Sequence, residues 1–398
     1  MPRVNPKNLR WARETAGLDE ASAAKKIGLN AARGIEAPDR LRQLENGEAE
    51  PTRRLLSKMA TAYRRPLIAF YSAQPPRTAE RVEDFRALPD RRPETEPLVQ
   101  ALVRDVRARQ GLIRTVLEED EAPTLAFVGS RRMAEGPAVV AEAICQTTGF
   151  RLERFRGSNN ADAAFAYLRE RIEAVGVFVL LIGDLGSHHT EIDTEAFRGF
   201  ALADPIAPFV VVNDRDAHTA WAFTALHELA HICLGVTGVS GAHPTRNVER
   251  FCNDVASRIL LPPDEALRLA IDVAADLDEI SAAISAAARP RNLSRTLIAF
   301  RLFEARLIDE ESWEALRARF AQEWRQTRAR QRDERRGLEP ESRGGPDYYT
   351  VRRQRLGRAL VELVGRAVSE GTLTPTKAGK VLGISPRSVD PLVRSVAA

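Results

Sequence analysis

The stretch TALHELAHICLG, residues 224–235, constrains the fold more than any other part of the chain. His227 and His231 stand four apart, among Phe223, Leu226, Leu229, Ala230 and Ile232. On a helix, positions four apart share a face about one turn from each other. The spacing predicts a helix that presents two imidazoles side by side, while its apolar neighbours bury it and hold the imidazoles rigid. Glu228 follows the first histidine. Two imidazoles in this arrangement can ligate one divalent ion, and the adjacent carboxylate can take a proton from water at the ion. A catalytic site of this kind needs a third protein ligand and an open position. The bland alternative is a buried histidine pair satisfied by carboxylates.

A third ligand must come from elsewhere in the chain. Residues 247–263, NVERFCNDVASRILLPP, read as a helix ending at Pro262-Pro263. Val248, Phe251, Cys252, Val255, Ile259 and Leu260 form its apolar face, and Glu249 lies beside that face. Asp254 and His243 are the alternatives that spacing leaves open. A donor to a developing oxyanion would also be needed. His243, His218 and the pair His188-His189 are the candidates, and Asn213 could fix the strand edge beside the site.

With 398 residues, 44% of them hydrophobic, the chain can bury a real core and should hold two to four structural units. Its net charge of +4 does not by itself imply nucleic acid. Arginines do crowd residues 317–337, RARFAQEWRQTRARQRDERRG, which reads as a solvated helix or linker, or as a phosphate-facing patch. The three cysteines, Cys145, Cys233 and Cys252, include no CxxC, which argues for a reducing compartment without a disulfide framework. The N-terminus has no apolar h-region. The longest apolar run, VGVFVLLIG at 175–183, is too short to span a bilayer and reads as a buried strand. These features predict a soluble, cytoplasmic protein with no membrane contact.

The expected class is α+β and predominantly helical. Residues 1–75 read as short helices with tight turns, a helix-turn-helix bundle. Residues 76–120 read as a Pro- and charge-rich linker followed by a long helix from about 96 to 119. Residues 121–270 hold helices near 135–149 and 160–174, the strand VGVFVLLIG, a loop GSHHTEIDTEAFRGF, a second strand APFVVVND and the two helices above. Residues 271–330 and 331–398 read as a helical subdomain and a helical C-terminal domain.

Two segments carry a family resemblance. FTALHELAHICLG at 223–235 and the pattern ExxCNxVAxxILLP at 249–262 resemble the corresponding helices of the ImmA/IrrE metallopeptidases. The resemblance implies a zincin-like domain with a small sheet, His227, His231 and Glu249 as zinc ligands, and Glu228 as general base. Cys252 stands where the family has Ala and Val255 where it has Phe; both are packing changes. The first seventy residues resemble the XRE-type helix-turn-helix that precedes this peptidase in many members, through Glu45, Gly47, Pro51-Thr52 and Pro66-Leu67. Gly34 and Pro38 depart from that pattern, since proline inside a helix removes a donor and clashes with the preceding turn. Either the recognition helix starts at Pro38-Asp39, with Arg40, Arg42 and Gln43 facing a groove, or the unit serves packing or docking. The segments GGPDYY and LTPTKAGKVLGI resemble the tail of longer members.

The resemblance further implies a zinc-dependent endopeptidase of narrow specificity. Its substrate would be a regulatory protein such as a helix-turn-helix repressor, cleaved in a stress response or in mobile-element regulation. Mn2+ or Fe2+ would also suit a His/His/Glu set. The alternative is a DNA-binding regulator or antitoxin-like protein whose peptidase fold is a sensor or scaffold. Such helix-turn-helix units commonly act as homodimers.

Overall fold

The structure is a computed structural model that describes residues 3–75, 96–186, 190–239, 246–337 and 347–397. Its first unit is built from α1 (Pro6–Thr15), α2 (Glu20–Ile27), α3 (Ala37–Asn46) and α4 (Arg53–Tyr63). Local chemistry sets each boundary. Asn5, Asp19 and Thr52 cap the N-termini of α1, α2 and α4 with their side chains, and Gly28 and Gly47 end α2 and α3 in the left-handed region. Between α2 and α3, Arg33 and Gly34 take φ of +54° and +73° in a tight turn bridged by Ala32 and Ile35. Pro38 then falls in the first turn of α3, where its missing N–H is harmless. Leu9, Ile27, Leu41, Leu56, Met59 and Phe70 fill the core of the unit. Beside them Arg13 grips Glu45 in a buried bidentate pair, at 2.7 and 2.8 Å.

The larger body is organised by a four-stranded sheet of order β1-β3-β2-β4. Its strands are β1 (Phe178–Leu181), β2 (Gly199–Leu202), β3 (Phe209–Val212) and β4 (Gly238–Val239). β1 runs parallel to β3; β2 runs antiparallel to both β3 and β4. β1, β2 and β3 are buried throughout, so the sheet must be covered on both faces. Strand alternation divides their side chains cleanly. Val179, Leu181, Ala201, Val210 and Val212 point to the front; Phe178, Leu180, Phe200, Leu202, Phe209 and Val211 point to the rear.

The rear layer is α5 (Glu96–Glu119), together with helices from the far end of the chain. The front layer comprises α6 (Pro137–Thr148), α7 (Leu152–Arg156), α8 (Ala161–Glu173), α9 (His218–Leu234), α10 (Arg246–Leu260), α11 (Pro263–Ala266), α12 (Leu277–Ala288), α13 (Arg295–Glu304) and α14 (Glu310–Gly337). The arginine-crowded segment is thus the last three quarters of α14. Two of its arginines reach the loops that follow β1 and β3: Arg325 meets Glu195 at 3.1 Å, and Arg328 donates to the Arg215 carbonyl.

The chain closes with α15 (Tyr348–Leu356), α16 (Arg358–Ser369), α17 (Pro375–Leu382) and α18 (Val389–Ala397). Leu356, Leu360, Val364, Val381 and Leu392 share the rear core with α5, so this tail completes the sandwich. A buried polar joint fixes it in place. Arg169 of α8 donates to the carbonyls of Gln354, Arg355 and Val179, and its Nε meets Glu173 at 2.9 Å. Glu173 in turn accepts the Ala359 N–H at 3.1 Å. One pair therefore serves the end of α15 and the start of α16, satisfying backbone groups that helix termini leave open. Among the described residues no helix is long and apolar enough to cross a membrane.

Candidate metal centre

Helix α9 is a core element: twelve of its 17 residues are buried. A helix apolar all round belongs inside a protein, and α9 packs between the sheet, α8 and α10. Its entry is set by Asn213 at the end of β3. The fully buried Asn213 amide donates to the Ile192 and Phe197 carbonyls at 3.1 and 3.0 Å, and its oxygen accepts the Arg215 N–H at 3.0 Å. Its exit is Gly235, at φ +71°, where a Cβ would stand 3.0 Å from the Gly129 Cα, tighter than side chains normally approach. The Gly129 N–H bonds to the Ile232 carbonyl at 3.0 Å, tying the loop before α6 to the end of α9.

His227 and His231 are 3% and 2% exposed, and Glu228 is 0% exposed. From α10, Glu249 reaches both imidazoles. Its Oε2 lies 3.2 Å from His227 Nε2 and its Oε1 3.2 Å from His231 Nε2. The two Nε2 atoms are 3.1 Å apart. Tetrahedral ligands about 2.0–2.1 Å from an ion stand roughly 3.3 Å from one another, so these donors have the spacing that a zinc-sized ion requires. Donor type agrees: two imidazole nitrogens and one carboxylate converge on one point.

Electrostatics sharpen the pattern. Burial alone would push the Glu249 carboxyl up; hydrogen bonds from both imidazoles outweigh it and hold the group at about 2. Burial would likewise depress His231. Its contacts with Cys252 and Glu249, and the nearby charge of Glu228, outweigh that and hold the imidazole well above its ordinary 6.5. Cys252, one turn beyond Glu249, is fully buried, and its thiol is pushed up, first by burial. The residue expected only to change the packing thus touches a candidate ligand.

Of the three candidates for a third ligand, the structure brings Glu249 to the histidines. Asp254 is committed elsewhere: its Oδ1 accepts from Arg258 at 2.7 Å and from Arg301 at 3.1 Å. His243 lies outside the described residues, as do His188 and His189. His218 stands nine residues before His227, roughly 13 Å away along the helix axis and on its opposite side. It pairs with Asp162 at 2.5 Å and stacks on Trp221, so it is not placed to stabilise an oxyanion at this site. In the first unit, Arg42 is engaged by Glu20 at 2.5 Å and Asp39 at 2.7 Å. Arg40 donates to the Asn30 carbonyl, and the half-buried backbone of Gln43 receives the Glu48 N–H at 2.9 Å.

Sequence reasoning missed Gly199. A Cβ there would stand 2.5 Å from Thr224 Cγ2, 2.9 Å from Glu228 Oε1 and 2.9 Å from the Val211 carbonyl oxygen. The available signal was a glycine inside a short apolar run, which marks close approach by another part of the chain. The sequence reading places this glycine in the loop GSHHTEIDTEAFRGF, whereas pairing with β3 makes it the first residue of β2.

No match to a curated protein or to a solved structure was found. Residues 182–302, less than a third of the chain, match the family described as Peptidase_M78, the IrrE N-terminal-like domain. That span contains His227, Glu228, His231 and Glu249, while α1–α4 and α15–α18 lie outside it. The similarity supports a function of metallopeptidase type for the segment that carries the buried histidine pair.

Proposed function

We propose that the protein is a metal-dependent endopeptidase of narrow specificity, with His227, His231 and Glu249 as ligands of a Zn2+ ion. Mn2+ or Fe2+ would suit the same donors. The observation that carries the reading is the convergence of two buried imidazoles from α9 and a half-buried carboxylate from α10, within a segment similar to a peptidase family. When bound, such an ion supplies a Lewis acid for the scissile carbonyl and makes water more acidic. Glu228, next to His227 on the same rigid helix, takes the proton from water and delivers it to the leaving amine. The rigidity of α9, set by Asn213 and Gly235, keeps base and ligands in one geometry.

Near-complete burial of both histidines favours a restricted choice of substrate. A regulatory protein, such as a helix-turn-helix repressor, fits a protease that also carries a four-helix unit for docking to a repressor or to DNA. The second reading is a DNA-binding regulator or antitoxin-like protein with the peptidase fold as sensor. The α2-turn-α3 arrangement favours it, but the acids that engage Arg42 weigh against base reading through that residue. A comparison of new protein N-termini in host cells expressing wild type or Glu228→Ala separates the two. Termini present only with the wild type identify a protease and its target. Identical termini, at rest and after DNA damage, favour the regulator.

A further inference from the structure

We propose that Gly199 of β2 is a positioning residue for Glu228: its missing side chain is the slot in which the Glu228 carboxylate sits. The inference rests on the reading of Glu228 as general base and extends it to the strand behind the helix. Gly199 and Ala201 are the two β2 positions on the sheet face that supports α9. Thr224 and Glu228 stand one helical turn apart, so they share the face of α9 that meets β2, while His227 and His231 face Glu249 on α10. The two jobs of the site are thereby divided between two surfaces of one helix: ligands toward α10, base toward the sheet.

A methyl group at position 199 would meet three atoms at under 3.0 Å. The Val211 carbonyl belongs to the neighbouring strand and cannot yield without disturbing the ladder. Thr224 is β-branched and stiff about χ1. Glu228 Oε1 is the end of a flexible side chain and is the atom that gives way at least cost. Rotation of the carboxylate relieves the approach to Glu228, and α9 lifting from β2 relieves the closer approach to Thr224 as well; both displace the base. The ligand donors, facing the other way, are disturbed less.

The test uses the full chain with zinc or cobalt as the probe. Gly199→Ala should leave metal affinity within about threefold of wild type. A base displaced by about 1 Å should lower cleavage of the identified target about a hundredfold, in kcat rather than KM. In the cobalt-loaded protein, the pH midpoint of the visible spectrum should also move. Stability gives a readout without activity: Gly199→Ala should lower the thermal midpoint less in a Glu228→Ala background than in wild type, because the carboxylate it displaces is gone. Equal losses in both backgrounds would overturn the proposal, as would full activity of a folded Gly199→Ala protein. If Glu228→Ala itself keeps full activity, it is the reading of Glu228 as base that fails. If Gly199→Ala does not fold, Gly199→Ala with Thr224→Ser, which removes the closest contact, carries the same comparisons.

Discussion

Glu228, His227 and His231 lie in the interior of a helix whose neighbours are almost all apolar. An apolar side chain buried at any of these positions would contribute about 1.5–3 kcal/mol, whereas a buried ionisable group costs free energy unless it is partnered. Such groups held together in one place mark a functional site more often than a structural one. The cysteines show burial as the leading influence on a group. Burial pushes the Cys145 thiol to about 11 and Cys233 to about 12, and pushes Cys252 up as well. A raised value keeps the neutral thiol in place until the pH passes it, so at pH 8 the reactive thiolate is ~0.1% or less at Cys145 and Cys233. Iodoacetamide at pH 8 should therefore modify Cys145 roughly a hundredfold more slowly than a free thiol, and Cys233 more slowly still. All three should react on denaturation. Rapid labelling of Cys233 in the folded protein would show that α9 is not packed as described.

Helix α9 depends on its two ends. At its exit, Gly235 has a positive φ, and a Cβ there would stand 3.0 Å from Gly129 Cα. Gly235→Ala should lose about 1–3 kcal/mol, read as a lower denaturant midpoint with an unchanged slope. An unchanged midpoint would mean that the end of α9 is free to shift. Both α9 and α10 were legible in the sequence, because each carries its own period: the HExxH run for α9, and the face from Val248 to Leu260 for α10. β1 and β3 were legible as unbroken apolar runs. β2 was not, since Gly-Phe-Ala-Leu is too short to show a period and its partners are set by pairing with β3 and β4. Glu249 was legible as one of three candidates; only packing shows Asp254 held by Arg258 and Arg301. The α3 boundary depended on turn chemistry at Arg33-Gly34, which places Pro38 where a helix tolerates it.

Across the whole molecule, segments far apart in sequence complete one sandwich. The rear face of the sheet is covered by α5 and by α15–α18 together, a juxtaposition that no local pattern announces. Arg169 holds the tail to the sheet, and Arg355 binds both Asp184 at 3.0 Å and Asp214 at 2.7 Å in the loops that follow β1 and β3. Removing one partner of a buried ion pair costs about 3–5 kcal/mol. Arg169→Met should therefore raise amide hydrogen exchange across 347–397 by at least about tenfold, while α9 keeps its protection. Unchanged exchange in the tail would show that apolar packing alone secures it. In the proposed function α9 and α10 together form a metal centre, with Glu228 beside it but not among its ligands. The most direct test is metal stoichiometry after exposure to zinc and extensive dialysis, for wild type, Glu228→Ala and Glu249→Ala. One tightly held ion per chain in the first two proteins, and loss of that ion in the third, is the expected result. Absence of a tight ion from the wild type, or its retention by Glu249→Ala, would show that His227, His231 and Glu249 are not the ligands of one metal ion.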